Sequence, residues 1–331
     1  MKFKYQLPEK IDHLSFLITG GAGFIGSNLI DFLLQNKAKR VRVLDNLSTG
    51  FEENIKEFIS YSNFEFFNGD ITIFDDCLNA CEGIDIVFHE AALGSVPRSI
   101  VNPMATNNVN ISGFVNMLFA ANKHKVKRFV YASSSSVYGD DKNMPKQENL
   151  TGNLLSPYAV TKKANELYAD IFARTYGMEV IGLRYFNVFG PKQNIVGPYA
   201  AVIPIFITQI IKKESPTIFG TGQTTRDFTF VEDIIQANIL AGLTENEKAL
   251  NQVYNVAYGS TTSLNNLFEY ISERLGSKIK PIYSEERKGD IRDSFADINK
   301  AKSLLGYLPT TPITDGVKIT VDWYIDNFNS N

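Results

Sequence analysis

Between the apolar run Ser15-Phe16-Leu17-Ile18-Thr19 and a helical stretch from Ser27 to Gln35, the chain places Gly20, Gly23 and Gly26 three residues apart. A second apolar run, Arg40-Val41-Arg42-Val43-Leu44-Asp45, follows. Strand, glycine turn, helix and strand make a βαβ unit, which commits the chain to a parallel sheet with helices packed on it. Glycines in that turn let the backbone bend sharply and approach a pyrophosphate, while the helix N-terminus offers N–H groups and partial positive charge. The turn therefore reads as a dinucleotide cradle of Gly20, Gly23, Phe24, Ile25 and Gly26. Asp45 stands 19 residues after Gly26, at a strand end, with Asn46 behind it. A carboxylate there accepts hydrogen bonds from ribose hydroxyls and repels a 2′-phosphate, which favours NAD over NADP.

The alternation continues. Phe64 to Phe67 reads as a strand leading to Asp70 and Ile71, near the adenine edge. Ile84 to His89 is the next strand, followed by Glu90 and then Ala91 and Ala92, small enough for a dinucleotide to lie close. Asn107 to Lys125 has Ile111, Phe114, Val115 and Leu118 at helical spacing. Phe129 to Ser133 and Val180 to Tyr185 are further strands. After Tyr185 the pattern breaks into short segments with Gly190-Pro191, Gly197-Pro198 and Gly220-Thr221-Gly222. The expected fold is α/β: a Rossmann doubly wound parallel sheet with a smaller mixed α/β lobe. Residues 1–186 and 230–258 are assigned to the dinucleotide-binding domain, and 187–229 and 259–331 to the lobe that binds substrate.

With 331 residues and 44% hydrophobic content the chain can bury a large core. A net charge of −3 gives no basic footprint for nucleic acid. No apolar run reaches the roughly 18–20 residues of a membrane span. Three scattered histidines and two cysteines, Cys77 and Cys81, form neither a metal constellation nor a disulfide framework. No metal is expected, and a reducing cytoplasm is the simplest location.

Tyr158 and Lys162 lie four apart in Ser156-Pro157-Tyr158-Ala159-Val160-Thr161-Lys162. On a helix they share a face. A nearby ammonium favours the phenolate, so the tyrosine pKa is expected to fall below its usual value of about 10. The serine run Ser133 to Ser136 follows a strand at the sheet's carboxyl edge, where ligands of such folds bind. A bare Y-x-x-x-K is usually only an exposed helix; the upstream glycine fingerprint changes its meaning. On the same helix Ala164, Leu167, Tyr168 and Ile171 form an apolar stripe, suited either to the core or to a dimer.

T-G-G-A-G-F-I-G at 19–26, Y-A-S-S-S-S-V-Y-G at 131–139, S-P-Y-A-V-T-K at 156–162, L-R-Y-F-N-V-F-G at 183–190 and R-x-G-D at 287–290 together resemble the extended short-chain dehydrogenase/reductases. Within them the chain resembles nucleotide-sugar 4-epimerases. A-A-L-G-S-V-P-R-S at 91–99 and Y-A-A-V-I-P at 199–204 look most like bacterial enzymes acting on UDP-N-acetylglucosamine and the matching uronic acids. The resemblance implies that Tyr158 takes the proton of the sugar 4-hydroxyl, Lys162 holds the nicotinamide ribose, and Ser134 bridges Tyr158 and O4. It implies a sugar pocket with Ser95, Arg98, Ser135, Ser136 and Val202, diphosphate contacts from Asn187, Arg226 and Arg287, and a uridine ribose contact from Asp290. A retained NAD, a transient 4-keto sugar and a homodimer through helices 107–125 and 157–176 also follow from it.

Sister activities fit less well. Dehydratases of this kind carry an Asp-Glu pair where Ser135 and Ser136 stand, and decarboxylases a glutamate. UDP-glucuronate 4-epimerases usually carry threonine at the Asn187 position, although a C6 carboxylate could be held by Arg98. Ser294 matches a position where epimerases restricted to UDP-glucose carry tyrosine, so an acetamido group is expected to fit. UDP-GlcNAc/UDP-GalNAc interconversion is the expected reaction. A non-catalytic dinucleotide sensor is the reading of a different class; such proteins usually lose the tyrosine or lysine.

Overall fold

Seven parallel strands run in the order Gln252–Val256, Val180–Tyr185 (β6), Arg128–Ser134 (β5), Ile86–His89 (β4), Ser15–Thr19 (β1), Arg40–Asp45 (β2) and Phe64–Asn68 (β3). The computed structural model describes residues 3–7, 9–194, 201–286 and 293–328. Strand order reverses between β1 and β4, which opens a crevice at their carboxyl ends. Alternate side chains feed two cores, one on each face. Phe16, Ile18 and Phe88 enter one, Leu17 and Val87 the other. Burial on both faces explains why these strands read as continuous apolar runs.

One face is covered by α1 (Phe24–Gln35) and a late helix, Val231–Leu243, which is buried along almost its whole length. The opposite face carries α2 (Phe74–Cys81), α5 (Phe114–Lys123) and α6 (Pro157–Tyr176). Two short helices, α3 (Val96–Val101) and α4 (Pro103–Asn107), lead into α5. Cys77 and Cys81 are free thiols sealed in the second core.

The helix expected over 107–125 is interrupted. Asn108–Gly113 is a π-helical turn, and α-helix resumes at Phe114. The wider turn coincides with buried Asn110, whose amide accepts from Leu93 N at 2.8 Å and donates to Thr161 Oγ1 at 3.1 Å. It thereby ties the loop after β4 to α6.

Past Tyr185 the chain builds small sheets: Val188–Phe189 with Thr229–Phe230, Thr217–Phe219 with Ile282–Ser284, and a three-stranded sheet ordered Thr262–Ser263, Thr225–Arg226, Asp293–Ser294. Among the described residues no helix is long and apolar enough to cross a membrane.

The stripe on α6 does not enter the core. Leu167, Tyr168 and Ile171 are exposed, beside exposed Ile100, Val101 and Met104 of α3 and α4. The helix buries Ala159, Lys162, Asn165, Glu166, Ala169 and Ala173 instead, because the sheet demands small side chains and the site demands polar ones.

Candidate active site

A cleft of about 510 Å³ opens at the carboxyl edge of β1, β2 and β4. Its walls include Gly20, Gly23, Phe24, Ile25 and Gly26, then Asp45, Asn46, Asp70 and Ile71, then Ala91, Ala92 and Arg98. Gly20 and Gly26 are required by space, and Gly20 by backbone conformation as well. Gly20 has φ +70, and a Cβ on it would lie 2.7 Å from Ala91 N. A Cβ on Gly26 would lie 2.4 Å from Gly20 O. Gly23 caps α1 without a side chain, so the helix N-terminus faces the cleft unobstructed.

Asp45 accepts from Ala22 N at 2.9 Å and Leu47 N at 2.8 Å. Burial raises its pKa, opposed by those backbone bonds. Asn46 donates to Asp70 at 2.8 Å, joining the ends of β2 and β3. The carboxylate thus anchors the loop while keeping further lone pairs for a ligand.

The serine run sits where β5 ends. Ser134 caps a short 3₁₀ turn, Ser135–Tyr138, by accepting from Ser136 N at 3.1 Å. Ser136 Oγ is buried without a hydrogen-bond partner. Opposite, Ser156 caps α6 by accepting from Ala159 N at 3.1 Å, and Pro157 occupies its first turn. That cap fixes Tyr158 in the first turn, facing the serines. Ser134 is hydrogen-bonded to the Tyr158 phenol. Lys162 Nζ lies 6.0 Å from the Tyr158 ring centre and donates to Ala132 O at 2.7 Å.

The expected fall in the Tyr158 pKa is not observed. Burial raises it, the Ser134 bond opposes the rise, and the Glu90 carboxylate adds to it. Lys162 is directed at a backbone carbonyl, and burial brings its own pKa down to about 8.

Beneath this pair lies a buried ion pair. Arg184 donates to Glu166 through Nε at 2.8 Å and a terminal nitrogen at 2.9 Å, and Ser133 donates to the same carboxylate at 2.8 Å. Burial opposes ionisation of Glu166, but the Arg184 bonds prevail and hold its pKa down.

The profile of the NAD dependent epimerase/dehydratase family matches residues 16–257, which spans the glycine cradle, the serines and the Tyr158 helix. The chain belongs to this family. A curated relative, the putative UDP-glucose 4-epimerase of Methanocaldococcus jannaschii, is 38% identical over 94% of this chain and 98% of its own. The UDP-N-acetylglucosamine 4-epimerase of Methanobrevibacter ruminantium, solved with UDP-N-acetylmuramic acid, has 39% identity and a TM-score of 0.90, covering 95% of this chain and 99% of that one. The UDP-glucuronic acid 4-epimerase of Bacillus cereus, solved with UDP-glucuronic acid and NAD, has 31% identity and a TM-score of 0.86, covering 95% and 99%. The cofactor is NAD. The cradle fits it: backbone atoms occupy the space that any Cβ at Gly20 or Gly26 would need, and Asp45 lines the cleft at the end of β2 with carboxylate oxygens suited to ribose hydroxyls.

In this epimerase/dehydratase-family protein the remaining expected residues are distributed as follows. Ser95 caps α3, accepting from Arg98 N at 3.2 Å. Asn187, at φ +33, donates to Asp227 O at 3.0 Å. Val202 begins the Val202–Ile211 helix. Arg226 and Ser294 are direct partners in the three-stranded sheet. Arg287 and Asp290 lie outside the described residues.

Several wall residues carry no sequence signal that singles them out: Ser48, Thr49, Glu90, Val109, Gln193 and Asn194. Glu90 is the most consequential. It lines the cleft and accepts from Tyr185 Oη at 2.8 Å. Asp227, next to Arg226, accepts from Tyr258, Gly259 and Ala296 backbone N–H groups, pinning the Ser294 segment to the sheet end.

Proposed function

We propose that the protein is a UDP-sugar 4-epimerase whose substrate is UDP-N-acetylhexosamine. The observation that carries the reading is the convergence of Ser134, Tyr158 and Lys162 beside the glycine-lined cleft. Bound NAD supplies a reversible hydride acceptor, so no net redox change is left on the sugar. Tyr158 removes the O4 proton as the sugar becomes the 4-ketone and returns it to the epimer. Ser134, already bonded to the phenol, orders that proton path. Lys162, fixed by Ala132 O, holds the cofactor ribose and brings positive charge near the phenol.

Arg226 is proposed as a diphosphate ligand and Ser294, its sheet partner, as the small wall that admits the acetamido group. Residues 1–186 and 230–258 then bind NAD, and 187–229 and 259–331 bind the nucleotide sugar. Relatives acting on UDP-glucuronic acid keep a carboxylated sugar in play, and Arg98 in the cleft wall is the cation that would serve it. The exposed Leu167 and Ile171 on the 157–176 helix support the expected homodimer, with exposed Val101 and Met104 of α3 and α4 beside them in place of an apolar face on the 107–125 segment.

Tyr158→Phe tests the reading. It should keep the bound NAD and the fold while losing 10²-fold or more in turnover, the scale typical of a removed acid–base group. Undiminished turnover would overturn it.

A further inference from the structure

Glu90 is a carboxylate at the cleft wall with no part in the chemistry described so far. Tyr185 holds it directly, and a second element braces that contact. Tyr185 Oη, at the end of β6, donates to it at 2.8 Å, and Asn238 Nδ2, from the Val231–Leu243 helix, donates to that hydroxyl at 2.8 Å. Its own strand, β4, continues into Ala91, whose N–H donates to Thr19 Oγ1 at 3.2 Å. The titratable groups facing Glu90 are Tyr185 from β6 and Lys162 and Tyr158 from α6. Neighbouring His89 is buried, bonded to Thr19 at 2.9 Å, and neutral, since burial and Lys162 push it down to about 3. His89 is the register partner of Tyr131 on β5, so Glu90 follows at the level of Ala132, whose carbonyl accepts from Lys162 at 2.7 Å; Lys162 is thus the cation that acts on this carboxylate.

We propose that Glu90 is a positioning residue: the counter-charge of the Tyr158–Lys162 pair, which sets the pH window in which the tyrosine serves as base and the lysine stays cationic. This rests on the reading of Tyr158 and Lys162 as the reactive pair. A negative charge at Glu90 favours protonated Lys162 and disfavours the Tyr158 phenolate, so it raises both pKa values together. Burial lifts Glu90 itself to about 7, with the Tyr185 bond and Lys162 opposing. Its charge therefore changes near neutral pH.

The test uses the NAD-loaded protein and Glu90→Gln, which keeps an acceptor for Tyr185. Both limbs of the pH profile of kcat/KM should slide toward acid by roughly one unit, the scale of a nearby charge. The phenolate absorbance that depends on Tyr158, taken as the difference from the Tyr158→Phe background, should titrate at lower pH by the same amount without any turnover. Tyr185→Phe removes the bond that holds Glu90 ionised. Its acid limb should move as in Glu90→Gln while its alkaline limb stays in place. If Tyr158→Phe is inactive yet Glu90→Gln leaves both limbs and the phenolate titration unmoved, the Glu90 role is wrong and the base assignment survives. If Tyr158→Phe turns over normally, the underlying reading fails first.

Discussion

Lys162 donates to the Ala132 carbonyl across 2.7 Å, joining the helix that carries Tyr158 to the strand that delivers Ser134. Residues 30 apart in sequence are locked at the point where the proposed proton transfer takes place. The same helix and strand are tied again one turn on, through Glu166 and Ser133.

That second tie gives a stability expectation. Glu166 and Arg184 are both buried, and replacing Glu166 by Gln leaves the guanidinium without its counter-charge. The cost should be about 3–5 kcal/mol. Denaturant unfolding of Glu166→Gln measures it; a loss under about 1 kcal/mol would mean that water or backbone carbonyls solvate Arg184 sufficiently.

Gly26→Ala should empty the cradle of NAD. A methyl there falls 2.4 Å from Gly20 O, so the turn must open. The purified variant should lack the cofactor absorbance, and added NAD should bind at least tenfold more weakly by calorimetry. Unchanged affinity would show that the turn yields without disturbing the pyrophosphate seat.

Ser294→Tyr should abolish turnover of UDP-GlcNAc while sparing UDP-glucose, because the new ring would stand beside Arg226 in the small sheet. Parallel loss on both sugars, measured as kcat/KM, would remove Ser294 from the pocket.

Stability should fall from about pH 4 to pH 7, in part through Asp233. Burial raises its folded pKa to about 7, opposed by bonds from Thr310 and Thr311 N–H, while the unfolded value is near 3.8. The folded state then holds more protons than the unfolded state between those values. This contribution is full below the unfolded pKa and is lost as pH rises through the folded one. Melting temperatures of wild type and Asp233→Asn across that range should diverge in slope; parallel slopes would exclude the residue.

The cradle and the Tyr158–Lys162 pair were legible because each is encoded by local spacing: glycines around one turn, two side chains one helical turn apart. Glu90–Tyr185 and Asp227–Ala296 were not, since their partners lie 95 and 69 residues away and meet only through the sheet order. Asn110 shows a different failure. Its helical period is sound, but a buried amide that binds both Leu93 and Thr161 coincides with a π turn that periodicity does not report. The Tyr158 pKa was misjudged because four-residue spacing says that two side chains are neighbours, not that the ammonium points at the phenol. The apolar stripe of α6 was legible as apolar but not as exposed: Leu167 is 58% accessible, and Ala169, Phe172 and Ala173 enter the core instead.

The most direct measurement is turnover by the purified protein, without added NAD, of UDP-GlcNAc and separately of its uronic acid, with 4-epimers resolved by chromatography. The expected result is conversion of UDP-GlcNAc to UDP-GalNAc by retained cofactor, abolished in Tyr158→Phe. Turnover of the uronic acid alone would keep the chemistry and contradict the assigned substrate, turning attention to Arg98. No turnover of either, with NAD supplied, would contradict the epimerase reading itself.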